Sequence, residues 1–424
     1  MLYRDKHCIC AACESVWLAL EVKCVDYVTV LVENCEEEQL PRIVWDNSNN
    51  SHDDTSLTIT DPVKLIEQIQ SRYPDTSPQF YPKLSSAVDA SRCNILRLPG
   101  VMPRNSDTTL MSLSPYLFRN DGTLVKPSSH AVSLEEVEEM QEEYYLGDFL
   151  CGKEITGADI IWAPYLERYA IQLPIVYPNK SRLNPRNRNM YDEVDKWYRV
   201  MEREVLAYSC RVMGDARHWR KCLEVAIQIH NERVGVNDND EERVYLPDIS
   251  LEESSNNGWW MKKNSIDNAG EIWKEYSSQR PWHAPTPGGE VALFLMRNRK
   301  MIVNEAASDD SLSDFVSYSD YFDQDTADEA LREVIQLLLD WDVYFDQSSE
   351  DEVTQPLSDL GRKMALFVAE EMIQVPRDMG MIPASVLWEV IWSFDDEAAE
   401  EETKSDVGKQ QEVGVTAVDV PSWW

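Results

Sequence analysis

Three cysteines fall close together near the start of the chain, at Cys8, Cys10 and Cys13. The last two form a Cys-Ala-Ala-Cys pair at the head of a segment whose apolar residues recur at helical spacing. A thiol at a helix N-terminus faces unpaired amide N–H groups and the positive end of the helix dipole, and both favour the thiolate. A second thiol one turn away is placed to resolve a mixed disulfide. The pattern predicts a nucleophilic Cys10 with Cys13 as its resolving partner.

Two other interpretations of this cluster remain open. Cys10 could be a vestigial, partly buried thiol, and Cys13 could simply pack in the core. His7, Cys8, Cys10 and Cys13 could also bind a metal ion or an iron–sulfur cluster. Such sites usually combine two separated pairs of ligands, whereas these four residues are crowded onto one turn. No metal site is therefore predicted from the sequence.

The segments around the cysteines predict a small α/β unit over residues 1–82. Apolar and β-branched runs indicate strands, and spacing of three to four residues between apolar positions indicates helices. Pro62 is well placed to open a helix, because proline is tolerated at the first helical position. The predicted strands are Leu2–Arg4, Tyr27–Val32, Arg42–Trp45 and Leu57–Thr60, and the predicted helices are Ala11–Lys23 and Pro62–Gln70.

The rest of the chain is predicted to be mainly helical, so the fold class is α+β. Residues 83–245 form an all-helical domain in which Thr156 and Asp159 make a capping box at the start of a central helix. Residues 250–395 form a helical extension. Residues 396–424 form an acidic tail that is expected to be disordered. The helices expected in the extension are Val291–Asn298, Ala327–Val343, Asp359–Gln374 and Pro383–Phe394.

Charge and composition exclude several classes of function. The 424 residues carry 40 Lys and Arg against 76 Asp and Glu, a net charge of −36, which repels nucleic acid and anionic membrane surfaces. No apolar run approaches the ~20 residues needed to span a bilayer, and no secretory signal opens the chain. Nine mostly scattered cysteines do not resemble a disulfide scaffold and favour a reducing compartment. The cysteines expected to be ordinary core or surface thiols are Cys24, Cys35, Cys93, Cys151, Cys210 and Cys222. We therefore expect a cytoplasmic protein, or a plastid protein if the N-terminus is incomplete.

The cysteine pair and its surroundings resemble the glutathione transferase superfamily, in particular a cysteine-type plant and algal subgroup. The family pattern is a strand, a Cys-Pro-(Tyr/Phe)-Cys motif, a Val-Trp-Leu helix, a lysine and an aromatic strand start. The resemblance extends to the capped helix and to two motifs in the extension. The matching segments are Leu2–Asp5, Cys10–Cys13, Val16–Glu21, Lys23, Tyr27, Gly152–Arg168, Leu183–Arg186, Val194–Trp197, Arg297–Arg299 and Val375–Gly380.

This resemblance implies a thioredoxin-like N-terminal domain and the all-helical second domain of the family. It implies that Cys10 is the nucleophile for thiol transfer or deglutathionylation, with glutathione as cosubstrate and a thiol, mixed disulfide or electrophile as substrate. Pro41 would be the family's cis-proline, and the preceding Leu40 would pair with the cysteinyl part of glutathione. Thr60 and Asp61 would hold the γ-glutamyl end. A homodimer or a protein partner is a further expectation.

Three departures from the family pattern favour a second hypothesis, a catalytically impaired member that serves as an interaction or scaffold protein. Ala11 replaces the proline after the nucleophile, and Pro62 replaces a serine that would bind glutathione. The segment before Pro41 is short and contains Glu36–Glu38, whose charges would repel an anionic cosubstrate. A third class, an acidic chaperone for a basic partner, rests on net charge alone.

Overall fold

The computed structural model describes most of the predicted N-terminal unit and long parts of the helical regions. His7, Cys8, the acidic segment Glu33–Gln39 and the predicted tail lie outside the described residues. The described residues are 1–6, 10–32, 40–45, 59–81, 147–176, 191–214, 269–309, 323–345, 357–372 and 374–391, with residue 312 and single positions between 219 and 235.

A three-stranded sheet forms at the start of the chain, with the strand order β2-β1-β3. The central strand β1 (Leu2–Asp5) pairs in parallel with β2 (Thr29–Val32) and antiparallel with β3 (Arg42–Ile43). A parallel pair needs a crossover connection, and helix α1 (Ala11–Val22) supplies it. The polypeptide therefore passes from the end of β1 through the cysteine pair directly into α1.

Helix α1 is buried on nearly every side. All its residues except Ala12 are buried, including the charged Glu14 and Glu21. Burial of a carboxylate is unfavourable unless hydrogen bonds or cations compensate it, so these two residues require partners from elsewhere in the chain. The helix ends at Lys23, and Cys24 follows with a φ of 51°, the left-handed conformation that often terminates helices.

Helices account for most of the remaining described structure. Two short π-helical turns are present: Phe367–Glu371 continues directly from a preceding helix, whereas the non-helical Val205 separates Ala207–Val212 from the helix before it. The α-helices are α2 (Pro62–Arg72), α3 (Gly157–Val176), α4 (Asp192–Glu204), α5 (Ala269–Ser278), α6 (Pro287–Ala306), α7 (Gln324–Phe345), α8 (Asp359–Leu366) and α9 (Gln374–Met379), and residues 381–391 are also helical.

Asp159, at the start of α3, connects several parts of the helical domain predicted over residues 83–245. Its carboxylate accepts hydrogen bonds from the Thr156 amide and hydroxyl, both at 2.8 Å, which confirms half of the predicted capping box. It also accepts from the Leu150 amide and from the indole N–H of Trp197. Burial raises the pKa of Asp159 even against these donors. The same residue thus caps α3 and ties α4 to it.

The described residues form two apolar cores. The first joins the sheet and helices α1 to α5, with Leu18, Ile66 and Trp197 completely or almost completely buried. The second lies among helices of the extension and includes Leu331 and Leu387. Between them, α9 lies against α6 and against the π-helical turn at residues 207–212.

Gly380 makes this close approach possible. It follows α9 with a φ of +89°, and a Cβ atom there would lie 2.3 Å from the carbonyl oxygen of Cys210. Only glycine fits such a contact without moving the backbone. The Val375–Gly380 motif therefore has a packing role that sequence spacing did not reveal.

The structure corrects three sequence predictions. Ile59 and Thr60 are not in a strand, and the rest of the predicted fourth strand, residues 57 and 58, lies outside the described residues. The single helix predicted at Asp359–Gln374 is divided, because the π-helical turn and an extended Met372 separate α8 from α9. Cys151, predicted to be an ordinary thiol, is disulfide-bonded.

Candidate functional site

Cys10 occupies the N-cap position of α1. Its backbone is extended, and its Sγ accepts a hydrogen bond from the amide of Cys13 at 3.3 Å. The sulfur therefore takes the place that a serine or aspartate oxygen fills at most helix starts, facing the positive end of the helix dipole. Cys10 is half-buried, so its sulfur combines contact with the helix and partial access from outside.

Asp5, the last residue of β1, links the end of this strand to the start of α1. We call this junction, formed by Asp5 and Cys10–Cys13, the cysteine turn. Its carboxylate oxygen Oδ2 accepts a hydrogen bond from the Cys10 amide at 2.8 Å, and the residue is only 2% exposed. One carboxylate oxygen and the sulfurs of Cys10 and Cys13 all lie within 4.8 Å of one another. A buried carboxylate beside two thiols is a feature that the sequence motif alone did not suggest.

Cys13 differs from Cys10 in both burial and electrostatics. It is 2% exposed, and burial raises its pKa well above the usual value for cysteine. The hydrogen bond to Cys10 and the nearby charges of Cys10 and Asp5 raise the pKa further. Cys13 therefore remains a thiol at neutral pH, and its attack as a resolving thiolate is disfavoured.

The residues predicted to bind glutathione lie at two places in the N-terminal unit. The Leu40–Pro41 peptide bond is cis, as the resemblance implied. β3 pairs Ile43 with Leu2 and Arg42 with Tyr3, and Leu40 and Pro41 lie in the bend that directly precedes it. The described pairing with β1, the strand that leads toward the cysteine pair, ends at Arg42.

Thr60 and Asp61 lie at the start of α2, where Asp61 is the N-cap residue. One oxygen of its carboxylate, Oδ1, accepts hydrogen bonds from the amides of Val63 at 2.9 Å and Lys64 at 3.3 Å. This capping explains the helix start in purely structural terms.

No protein-family model, curated protein or solved structure matches this chain. The resemblance to glutathione transferases remains a prediction carried by the motifs. Among the described residues no helix combines the length and the apolar character needed to cross a membrane.

Farther along α1, Glu14 lies in a buried charge cluster with residues from distant parts of the chain. Arg377 of α9, 1% exposed, donates to Glu14 Oε1 at 2.5 Å, and its guanidinium also lies over the rings of Trp17 and Trp219. The neighbouring Asp378 forms an ion pair with Arg4 of β1. Adjacent residues of the extension thus bind both elements that flank the cysteine turn.

Glu167 of α3 belongs to the same cluster. Its Oε1 accepts from the Gly214 amide at 2.7 Å and from the Trp219 indole at 2.9 Å. Burial and the charge of Glu14 raise the pKa of Glu167 to about 8, although Arg377 and the two donors oppose the change. At neutral pH the carboxyl group of Glu167 is therefore protonated, and the positive charge of Arg377 pairs with Glu14.

Glu21, near the C-terminal end of α1, lies in a second buried charge cluster. The hydroxyls of Tyr27 and Tyr276 each donate to its carboxylate at 2.6 Å, and Arg211 and Arg280 lie within 3.8 Å and 3.5 Å of it. Burial alone would raise the pKa of Glu21, but Arg211, His283 and the two hydroxyls hold it below the usual value. Glu21 is therefore a stable carboxylate.

Glu290 of α6 extends this second cluster. One of its oxygens, Oε1, lies 2.9 Å from Nδ1 of His283 and 3.4 Å from Nη1 of Arg211, and the other accepts from the Ala284 amide at 2.7 Å. Burial would raise the pKa of Glu290, but the hydrogen bond to His283 and the charge of Arg211 lower it. The cluster thus contains two ionised carboxylates and the cations that neutralise them.

A cleft of about 710 Å³ opens beside these clusters, between the edge strand β2 and helix α6. Arg4, Glu21, His283, Arg297 and Asp378 are among its lining residues, so both motifs noted in the extension meet there. The volume is in the range of small-molecule sites. Cys10 is not among the described lining residues, so the thiol and this cleft are separate features.

Sequence reasoning identified Cys10 and Cys13 but missed the groups that surround them. Asp5 carried no local signal, because four residues separate it from Cys10 and the neighbouring Arg4 and Lys6 are also charged. Glu14 and Glu21 did carry a signal, because both fall on the apolar face of α1. Nothing local to the sequence identified their partners, which lie up to 363 positions away.

Proposed function

We propose that the protein is a glutathione transferase-like enzyme of the cysteine type, which catalyses thiol transfer or deglutathionylation through Cys10. The observation that supports this most is the half-buried Cys10 sulfur at the N-cap of α1, which accepts the Cys13 amide hydrogen at 3.3 Å. This donor and the helix dipole stabilise negative charge on the sulfur without requiring a separate base.

The proposed reaction exchanges disulfides through a covalent intermediate. The thiolate of Cys10 attacks the glutathionyl sulfur of a mixed disulfide, the S–S bond breaks, and the substrate leaves as a thiolate that takes a proton from solvent. A second glutathione, as thiolate, then attacks the Cys10–glutathione disulfide and releases glutathione disulfide and the Cys10 thiolate. Each turnover consumes one free glutathione, and the glutathionyl group of the substrate becomes the other half of the glutathione disulfide.

Cys13 is proposed to assist this cycle through its backbone rather than as an attacking thiol. Its amide stabilises the Cys10 thiolate, while its own buried sulfur remains protonated because burial raises its pKa. This arrangement favours a cycle that needs one cysteine and a second glutathione. In this cycle, Leu40 would bind the cysteinyl backbone of glutathione by adding it as a strand beside β3.

A thiol-transferase assay with hydroxyethyl disulfide and glutathione tests the proposal. Cys10→Ser should abolish the protein-dependent rate, whereas Cys13→Ser should retain at least about a third of it, because the amide donor remains. Cys24→Ser is the matched control, since Cys24 is also a half-buried free thiol but lies at the other end of α1. Equal rates for the wild-type protein and the Cys10→Ser variant would refute the proposed mechanism.

A second proposal is a scaffold function with little or no catalysis, and one specific observation favours it. The extension binds the cysteine-bearing helix through Arg377 and binds β1 through Asp378, so the region that would surround a substrate is also a structural junction. Retention on immobilised glutathione distinguishes the two proposals. Failure to bind glutathione, together with a rate independent of Cys10, would support the scaffold.

A further inference from the structure

Asp5, Cys10 and Cys13 bring three potential metal ligands together from two elements of the fold. One carboxylate oxygen and two sulfurs lie within 4.8 Å of one another, with Asp5 from the end of β1 and the cysteines from the first turn of α1. The cysteine segment by itself lacked a ligand from a second element. The structure supplies one in Asp5, whose position is fixed by its hydrogen bond from the Cys10 amide.

The donor set selects the type of ion. Two sulfurs and one oxygen suit a thiophilic divalent cation such as Zn²⁺, whereas Mg²⁺ and Ca²⁺ require oxygen ligands. With bonds of about 2.3 Å to sulfur and about 2.0–2.2 Å to oxygen, ligand atoms of a tetrahedral zinc lie roughly 3.3–3.8 Å apart. No ligand pair exceeds 4.8 Å, so an approach of at most about 1.5 Å between ligand atoms reaches this separation.

Charge and access are consistent with such an ion. Two thiolates and a carboxylate carry three negative charges, which outweigh the unfavourable effect of the helix N-terminus on a divalent cation. Asp5 and Cys13 are each 2% exposed, so two ligands are held in place by the surrounding protein. The partly accessible side lies at Cys10, where the fourth position of a three-ligand site would be open to water or another ligand.

We propose that Asp5, Cys10 and Cys13 form a reversible binding site for a zinc-like cation that blocks the Cys10 thiol. Binding forms two metal–sulfur bonds and one metal–oxygen bond and releases to solvent the proton of the Cys13 thiol and any proton on Cys10, with no change in oxidation state. Removal of the ion restores the free thiols. The effect on catalysis rests on the proposed function, but metal binding itself does not.

Metal titration of the reduced, full-length protein under anaerobic conditions tests the site directly. Co²⁺ should bind with one equivalent that shows the charge-transfer absorption of two thiolate ligands, and Zn²⁺ should displace it. Cys10→Ser and Cys13→Ser should each weaken binding at least about tenfold and reduce the charge-transfer intensity, and Asp5→Asn should weaken it at least about tenfold with the intensity retained. Cys24→Ser should leave binding unchanged.

Each outcome bears on the proposal. Loss of binding in the cysteine variants but not in Asp5→Asn would refute Asp5 as a ligand, and equal binding in the wild-type protein and both cysteine variants would refute the site. Alkylation of Cys10, followed by mass spectrometry, should slow at least about tenfold when Zn²⁺ is bound, and an unchanged rate would refute the blocking role. A protein that binds the ion at this site but transfers no thiol when metal-free would contradict only the proposed enzyme.

Discussion

The cysteine turn and the buried carboxylates of α1 hold polar groups in opposite ways. At the turn, the Cys10 sulfur is half-buried and is held by one short-range amide contact from Cys13. At Glu14 and Glu21, buried carboxylates are bound by cations and hydroxyls from distant helices. The contrast indicates that α1 is held in place by its buried acids, while its N-terminal end retains a group with reactive potential.

Replacement of Arg377 by methionine should have the largest effect on stability. The variant would leave Glu14 buried without this cation, and loss of one partner of a buried ion pair typically destabilises a protein by about 3–5 kcal/mol. Urea unfolding measures the change, and Arg297→Met is the matched control because Arg297 is exposed. A further Glu14→Gln substitution should recover part of the loss, and no recovery would contradict the assigned pairing.

Tyr276→Phe should have the next largest effect. The substitution removes a hydroxyl that donates to the charged Glu21 at 2.6 Å, and hydrogen bonds to charged groups contribute about 1.5–3 kcal/mol. Tyr198→Phe is a suitable comparison, since that buried hydroxyl donates to the uncharged carbonyl of Leu166. Thermal and urea unfolding should show a smaller loss for Tyr198→Phe. A larger loss of stability for Tyr198→Phe than for Tyr276→Phe would contradict the stronger contribution assigned to the hydrogen bond to Glu21.

Glu167→Gln should stabilise the protein in a pH-dependent manner. The folded pKa of about 8 lies above the ordinary value of 4.5, so the folded state holds an extra proton between these pH values. The contribution of Glu167 to stability therefore declines as pH rises from about 4.5 to 8 and is constant above that. The variant lacks this decline, so its advantage should be near zero at pH 4 and on the order of a few kcal/mol at pH 8.

The free energy of unfolding, measured at several pH values for the wild-type protein and for Glu167→Gln, tests the predicted direction of this pH dependence. The exposed Glu154 provides the control, because Glu154→Gln should show no comparable pH-dependent advantage. A Glu167→Gln variant that gained stability toward low pH would contradict the protonated state assigned to Glu167.

Cys10→Ser should have the smallest effect on stability, although it is expected to abolish thiol transfer. Serine is a preferred N-cap residue, and its oxygen can accept the same amide hydrogen from Cys13. The free energy of unfolding should therefore change by less than about 0.5 kcal/mol. A large loss of stability in the same urea assay would indicate that Cys10 has a structural role. Cys10 would then resemble the buried Glu14 and Glu21 instead of differing from them.

Local features of the sequence predicted local features of the fold. Helix α1 followed from apolar residues at helical spacing, and the start of α3 followed from Thr156 and Asp159, because helix propensity and capping depend on nearby residues. The N-cap position of Cys10 was predictable for the same reason. The division between α8 and α9 was not, because the π-helical turn interrupts a continuous helical pattern.

Contacts between distant residues could not be predicted from one sequence. Glu14 and Glu21 stand on an apolar helix face, which signals that they need partners, but many arginines in the chain could supply the charge. Arg377 was noted as part of a motif, yet its pairing with Glu14 depends on how the extension packs. Asp5 joined the candidate site only because β1 and α1 meet at one turn.

The adjacent pairs Arg377–Glu14 and Asp378–Arg4 have a consequence for synthesis on the ribosome. Their partners are 363 and 374 positions apart, so the N-terminal helix and strand emerge long before their counter-charges are translated. During that interval Glu14 and Arg4 must stay hydrated or contact other groups, which opposes early burial of α1. The cysteine turn is therefore expected to reach its final geometry only after α9 has left the exit tunnel.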